Sequence, residues 1–388
     1  MVIKHRCGWG YETLVREVSD SLHLRRFCRI ALDARVPDES TVRKLTRRLG
    51  AEVVNEITRA LIVKATREKR LRARAVRIDS TVIEADIQYP TDAGLASAGV
   101  RALAREGRKL ATRIGETTTR VRDRSRAMGR TLRGISRTIR RRSGEAKAEV
   151  LKLTAQTGQL LERSVREARQ LAATARRKAR GRGAQAKLRA AQRLEERADH
   201  CSKVAEQIRK RVAGEKITDR VVSIADPDAR PIRKGKLGKP NEFGYVTQLA
   251  EVTQNTKRGA RGFILPPATA AGNPTEDTLL PQTAAELLTL GLSPREVAPD
   301  GGFNVGPTSE ALTPLAPERV FISGRQQPGS RHTQRRLQRY RTGAEGRISH
   351  LKRGYGLRRS RLKGDEGQRT WSGWSALTYN LDTYTRLT

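Results

Sequence analysis

The chain has 388 residues, long enough for two or three domains and a sizeable core. Lys and Arg number 79 against 41 Asp and Glu, a formal net charge of +38, while aromatics make up only 4%; the expected partner is a polyanion, nucleic acid first and an anionic membrane surface second. With no 18-residue apolar run, no export signal and three scattered cysteines (Cys7, Cys28, Cys201), the sequence speaks for a cytoplasmic protein with no membrane partner, disulfide framework or zinc site.

Residues 1–70 read as helices, with a break at Val36-Pro37, Asp38 or Ser40 as N-cap, and Val42, Leu45 and Leu49 as the apolar stripe of the helix that follows. Arg43, Lys44, Arg47 and Arg48 fall on the opposite face, which suits either a helix-turn-helix-like DNA reader or an ordinary solvated surface. In RARAVRIDSTVIEADIQYPTDAG the β-formers Val76, Ile78, Thr81, Val82 and Ile83 surround Asp79. That pattern predicts a central strand turning one carboxylate out of an apolar sheet. A buried Asp is costly unless paired or metal-bound, so Asp79 is a candidate site residue. Asp86 and Asp92 lie beyond the strand in a Pro-containing loop and read as bystanders.

From Leu95 to Glu215 there is no Pro, and 33 Lys and Arg face 12 Asp and Glu, so this third of the chain holds 21 of the 38 net charges. Leu103, Leu110, Ile114, Val121, Met128, Leu132, Ile135 and Ile139 follow steps of three, four and seven, the spacing of a coiled-coil seam. Two further helical runs follow, after Ser143-Gly144 and after Gly181-Arg-Gly183. The expectation is a long antiparallel helical hairpin, acting either as a basic DNA clamp or as a passive spacer.

Strand-like runs then return in VVSIAD, FGYVTQLAEV and RGFILPPATA, with a basic loop from Arg230 to Lys239 between the first two. Asp226-Pro-Asp228 precedes the second strand and is placed outside any metal site. A helix over about Asp277–Leu290 leads to Asp300, which ends a short apolar run before Gly301-Gly302; this is either a carboxylate at the C-terminal edge of a strand or a simple turn. ERVFIS adds one more strand, and the tail WSGWSALTYNLDTYTRL has helical spacing suited to covering the sheet.

The stretch YRTGAEGRISHLKRGYGLRRSRLKG, from Tyr340 to Gly364, has Glu345 as its only acid in a run crowded with Arg and Lys. At 100° per residue Arg341, Glu345 and Lys352 share one helix face within about 40°. The bland account is an exposed helix with one i, i+4 salt bridge. However, Arg341-x3-Glu345-x6-Lys352 resembles the glutamate region of the DDE transposases of bacterial insertion sequences. One departure is visible: many members carry Tyr three residues before the Arg, where this chain has Gln338, the nearest tyrosine being Tyr340. VPDESTVRKLTRRLG is similar to the N-terminal helical domain of the same family.

The resemblance implies an α+β fold: a ribonuclease H-like mixed sheet with flanking helices, a helical N-terminal domain (1–70), a first core part (71–94), the helical, coiled-coil-like insertion between the first and second core strands (95–218), and the remaining core (219–388). It implies Asp79, Asp300 and Glu345 as ligands of two Mg2+ ions, with Mn2+ as a substitute, and Arg341 and Lys352 as their catalytic companions. Arg43, Lys44, Arg47, Arg48, Arg347, Lys352 and Arg353 are the expected DNA contacts. The expected partner is double-stranded DNA, insertion-sequence ends and target, held by a homodimer in the nucleoid. Relatives carry helical residues upstream of Met1, so an N-terminally truncated copy is expected. No Ser/His/Asp set, HExxH, GxGxxG or P-loop competes with this chemistry. A nuclease without strand transfer and a non-enzymatic basic scaffold remain the alternative readings.

Overall fold

The computed structural model describes residues 1–141, 143–181, 183–233, 241–325 and 329–387. The chain forms two compact units: Met1–Asp86 together with Pro231–Thr388, and Ile87–Arg230. Most of the basic loop expected at Arg230–Lys239 lies outside the described residues.

The first unit is built on a mixed sheet of β1 (Ala75–Ala85), β2 (Arg230–Ile232), β3 (Glu242–Thr253), β4 (Phe263–Ile264), β5 (Ala268–Thr269), β6 (Glu296–Pro299), β7 (Arg319–Val320) and β8 (Arg359–Ser360), in the order β2-β3-β1-β6-β7. β1 runs antiparallel to β3, with Ala75 opposite Thr253 and Glu84 opposite Gly244. On its other edge β1 runs parallel to β6, with Ile78 level with Pro299, and β6 runs parallel to β7. β4 and β5 pair antiparallel with β3. Pro266 and Pro267 lack the N–H groups a ladder needs, which splits the single expected strand RGFILPPATA into two short ones. Of ERVFIS only Arg319–Val320 takes strand form, and the Phe321 N–H that follows still donates to the Val297 carbonyl of β6 at 2.8 Å.

Alternation along β1 sorts its side chains onto two faces. Ala75 packs with Leu337 and Tyr340, and Ile83 with Leu351 and Tyr355, all from the helix Arg331–Gly354 and its C-cap. Val76 and Ile78 pack on the other face with Ile62 and Ala65 of the helix Glu39–Arg67 and with Leu280, Ala284 and Leu287 of the helix Glu276–Thr289. The tail forms the helix Gly364–Arg386, whose Tyr379 packs near Ile264 and whose Trp374 and Leu377 meet Val54.

The N-terminal helices cluster with the sheet in one compact unit, and Ile62 and Ala65 of Glu39–Arg67 pack into its core. Asp38 caps that helix by accepting from Thr41 N–H at 2.8 Å. Gly50, at φ 64°, kinks it, and Glu366 Oε1 accepts from the freed Ala51 N–H at 3.0 Å. Before the kink, Leu45 of the expected stripe is 53% exposed, and Thr46 is buried instead.

The second unit is a helical bundle of Asp92–Ile114, Ser125–Thr138, Gly144–Arg177 and Ala184–Ala213. The last two run antiparallel, since Glu162 pairs with Arg209, Arg169 with Asp199, and Arg176 with Glu195. The expected seam is not continuous. Gly115 caps the first helix in the left-handed region, Val121 is buried from a loop, and Ile139 is 61% exposed. VVSIAD is not a strand: Val221 and Ile224 pack on the bundle, and Gln207 Oε1 accepts the Val221 N–H at 2.9 Å. Asp92, expected to be a bystander, is buried and structural, receiving Gln207 Nε2 at 2.7 Å and Arg211 Nε at 2.8 Å.

A carboxylate cluster as the candidate active site

Asp79 sits at the centre of β1, and the parallel register ends β6 beside it, so Asp300 follows one residue after Pro299 at the strand's C-terminal edge. Asp300 Oδ1 accepts from its neighbour Gly301 N–H at 2.6 Å. A third acid comes from the first turn of the helix Glu276–Thr289. Ligand oxygens of Asp79, Glu276 and Asp300 all lie within 4.8 Å of one another. Gly302 makes this approach possible, because a Cβ there would stand 2.2 Å from Glu276 Oε2.

Arg341 joins these acids to the helix Arg331–Gly354. Its Nη2 lies 2.5 Å from Asp300 Oδ1 and 3.4 Å from Asp79 Oδ2, and its Nη1 lies 3.1 Å from Glu345 Oε1. One guanidinium therefore touches all three acids singled out in the sequence. Glu345 stands at the rim, 64% exposed, while Asp79 and Arg341 are almost sealed. Lys352, two turns further along the same face, donates from Nζ to the Val82 carbonyl of β1 at 2.9 Å.

The electrostatics are those of a site short of positive charge. Burial, and then the neighbouring Asp300, push Asp79 up to about 6 against the pull of Arg341. Burial, and then Asp300 and Asp79, push Glu276 up to about 7. Among the described residues Glu276 Oε2 and Arg341 Nε are buried with no hydrogen-bond partner. Hard carboxylate oxygens grouped this closely, one of them unpartnered, fit a divalent cation of the Mg2+ type. Asp79, Asp300 and Glu276 would hold it; among the described residues Glu345 is not in this group and reaches it only through Arg341.

Glu276 was not expected from the sequence. Acids in the first turn of a helix are ordinary, since they favour the positive end of the helix dipole, and only the fold carries this one to β1. Other expectations need correcting. Arg347 is partly buried and already paired: its Nε lies 2.9 Å from Glu251 Oε1, in a network where Arg77 bonds Glu251 Oε2 at 2.5 Å. Gly343 leaves room for that network, because a Cβ there would meet Arg77 Nη1 at 2.0 Å. Tyr340 is structural, its hydroxyl 2.7 Å from Thr253 Oγ1 and its ring beneath the Arg77 guanidinium. Lys44, Arg47, Arg48 and Arg353 are exposed; Arg43 is exposed too, but pairs with Glu39 at 3.0 Å.

No family model, curated protein or solved structure matches this chain. Among the described residues no helix is long and apolar enough to cross a membrane.

Proposed function

We propose that this chain is a DNA transposase that cuts and joins strands at the ends of an insertion sequence, using the cluster of Asp79, Asp300 and Glu345 with Glu276. The observation that carries the reading is the meeting of Asp79 and Asp300 on adjacent parallel strands beneath one Arg341 that also holds Glu345. The sheet supports a ribonuclease H-like core: antiparallel pairing of β1, β3 and β4/β5, then β6 and β7 parallel on the other side of β1. The net charge of +38 suits a double-stranded DNA partner, and joining two ends to one target calls for two copies of the chain.

When bound, Mg2+ supplies activation of the attacking water or 3′-hydroxyl and neutralisation of the leaving oxygen. The chain's own residues set the geometry. β1 fixes Asp79, the Gly301 N–H orients Asp300, and Arg341 ties Asp79, Asp300 and Glu345 together. Glu345, exposed at the rim, faces the side from which a strand can enter. Lys352 lies on the same helix face, its Nζ bonded to the Val82 carbonyl, and its role in this reading is to meet a phosphate beside the scissile bond.

The test is strand transfer. Purified protein, DNA carrying the ends that flank its gene, a target duplex and Mg2+ should yield joined products. Cut ends that never join would identify a nuclease instead. No Mg2+-dependent cutting, with salt-dependent binding retained, would identify a basic scaffold. Glu345→Ala should abolish both cutting and joining while leaving binding and its salt dependence nearly unchanged.

A further inference from the structure

A second site lies apart from the carboxylate cluster, in the same unit, where the first helix meets the segment after Arg331–Gly354. A cavity of about 410 Å³ is lined by Lys4, His5, Trp9, Gly356, Arg361 and Trp371, among others. Its size falls in the range of small-ligand pockets.

Its chemistry is unbalanced. Lys4 is only 2% exposed, yet its ammonium has no hydrogen bond or ion pair among the described residues; it rests on the rings of Trp371 and Tyr11, 4.5 and 4.9 Å from their centroids. A buried ammonium without a counter-charge is costly, and cation–π contact offsets only part of the cost. Burial, and then Arg361, lower Lys4 to about 8. His5 is equally buried, and its Nε2 has no partner. Among the described residues no Asp or Glu lines the cavity. The nearby carboxylates Glu84 and Asp86 are engaged by Arg358 and Arg359.

The ring walls are fixed. Trp371 Nε1 donates to the Gly356 carbonyl at 2.8 Å, and the His5 ring lies tilted against the indole, with centroids 4.4 Å apart. Gly356 turns the chain at φ 72°, in the left-handed region that favours glycine. Trp9 is only half-buried and leaves ring surface open to the cavity.

We infer that this cavity is a nucleotide site: the phosphate is held by Lys4 and Arg361, a base lies against Trp9, and the unpartnered His5 Nε2 is left to bond a polar edge of the ligand. An anion supplies the counter-charge that Lys4 lacks, and flat rings stack on an exposed indole irrespective of base. The site does not depend on strand cleavage. Its ligand is a nucleoside phosphate, either free or as an unpaired nucleotide of a strand.

Equilibrium dialysis of the full chain at physiological salt tests this with deoxyadenosine monophosphate, deoxyadenosine, inorganic phosphate and a short single strand. Saturable binding of the monophosphate or the strand is expected, with deoxyadenosine and phosphate each at least about tenfold weaker, since each lacks either the stacked base or the gripped phosphate. Binding of the strand without the monophosphate identifies the unpaired nucleotide as the source. Lys4→Met and Trp9→Ala should each weaken binding about tenfold or more. Arg361→Ala, at an exposed position that does not threaten folding, should do the same, while Arg335→Ala at another exposed position should not. The inference is overturned if neither nucleotide probe binds, if deoxyadenosine binds as tightly as its monophosphate, or if Arg361→Ala binds like the parent.

Discussion

Replacing Asp79 with Asn should make the metal-free protein more stable at neutral and alkaline pH. The folded site holds Asp79 at about 6 against an ordinary 3.8, through burial and then the Asp300 charge. A folded-state value above the unfolded one means that the ionised carboxylate opposes folding. That penalty is absent below about pH 4, grows through the interval up to 6, and is complete above it. A shift of roughly two pH units is on the order of 3 kcal/mol, an upper bound because the unfolded chain is not featureless. Asn keeps the shape and removes the charge, while Arg341 retains Asp300 and Glu345. The expected gain at pH 8 is about 1–3 kcal/mol, or roughly 2–4 °C in Tm per kcal/mol for a unit of this size. Thermal unfolding of parent and variant at pH 8 and pH 4 measures it, and the advantage should shrink toward zero at the lower pH. Mg2+ should raise the parent's Tm and leave the variant's nearly unchanged. A variant less stable than the parent at pH 8, with the gap widening as pH rises, would mean that the Arg341 pair outweighs burial and refute the reasoning.

The buried network behind the site yields two further predictions. Glu251→Gln leaves the sealed Arg77 and Arg347 guanidiniums short of their counter-charge and should cost about 3–5 kcal/mol in denaturant unfolding; a change below about 1 kcal/mol would show that water enters. Gly343→Ala drives a methyl into Arg77 Nη1 and should cost about 1–3 kcal/mol, whereas Gly346→Ala, with open space around it, should be nearly neutral by the same measurement. In the helical unit, Arg163→Ala and Arg166→Ala remove exposed charges. If these arginines grip phosphates, the log–log salt slope of DNA binding should fall by roughly 0.9 for each phosphate no longer neutralised, with cutting at saturating DNA preserved; an unchanged slope identifies the bundle as a spacer.

Local patterns made much of the first unit legible. β1 could be read because an acid among β-formers is anomalous, and Asp300 because an apolar run ended at an acid followed by two glycines. The common face of Arg341, Glu345 and Lys352 followed from helical geometry, and in the structure it lies along β1, reaching Asp79 and Val82. What escaped the sequence depends on pairing across distance. Glu276 looks like any first-turn acid until the helix Glu276–Thr289 is laid against β3, where the Glu276 carbonyl accepts from Gln248 Nε2. Arg347 looks like a free cation because its partner, Glu251, stands far off in the chain, on β3. The seam from Leu103 to Ile139 kept its period across Gly115, since apolar residues in a loop can fill a bundle as well as those in a helix. VVSIAD had strand composition, but Gln207 supplied the bond to its backbone that a neighbouring strand would have made.

Cutting of DNA that carries the gene's own flanking ends, followed at saturating DNA in Mg2+, tests the central claim most directly when the parent is compared with Asp300→Asn. The account predicts Mg2+-dependent strand breaks by the parent, and a drop of at least about 10²-fold in the variant with DNA affinity unchanged, because Asp300 contributes to the metal site and not to the electrostatic footprint. Cutting by Asp300→Asn at the parent's rate would contradict it.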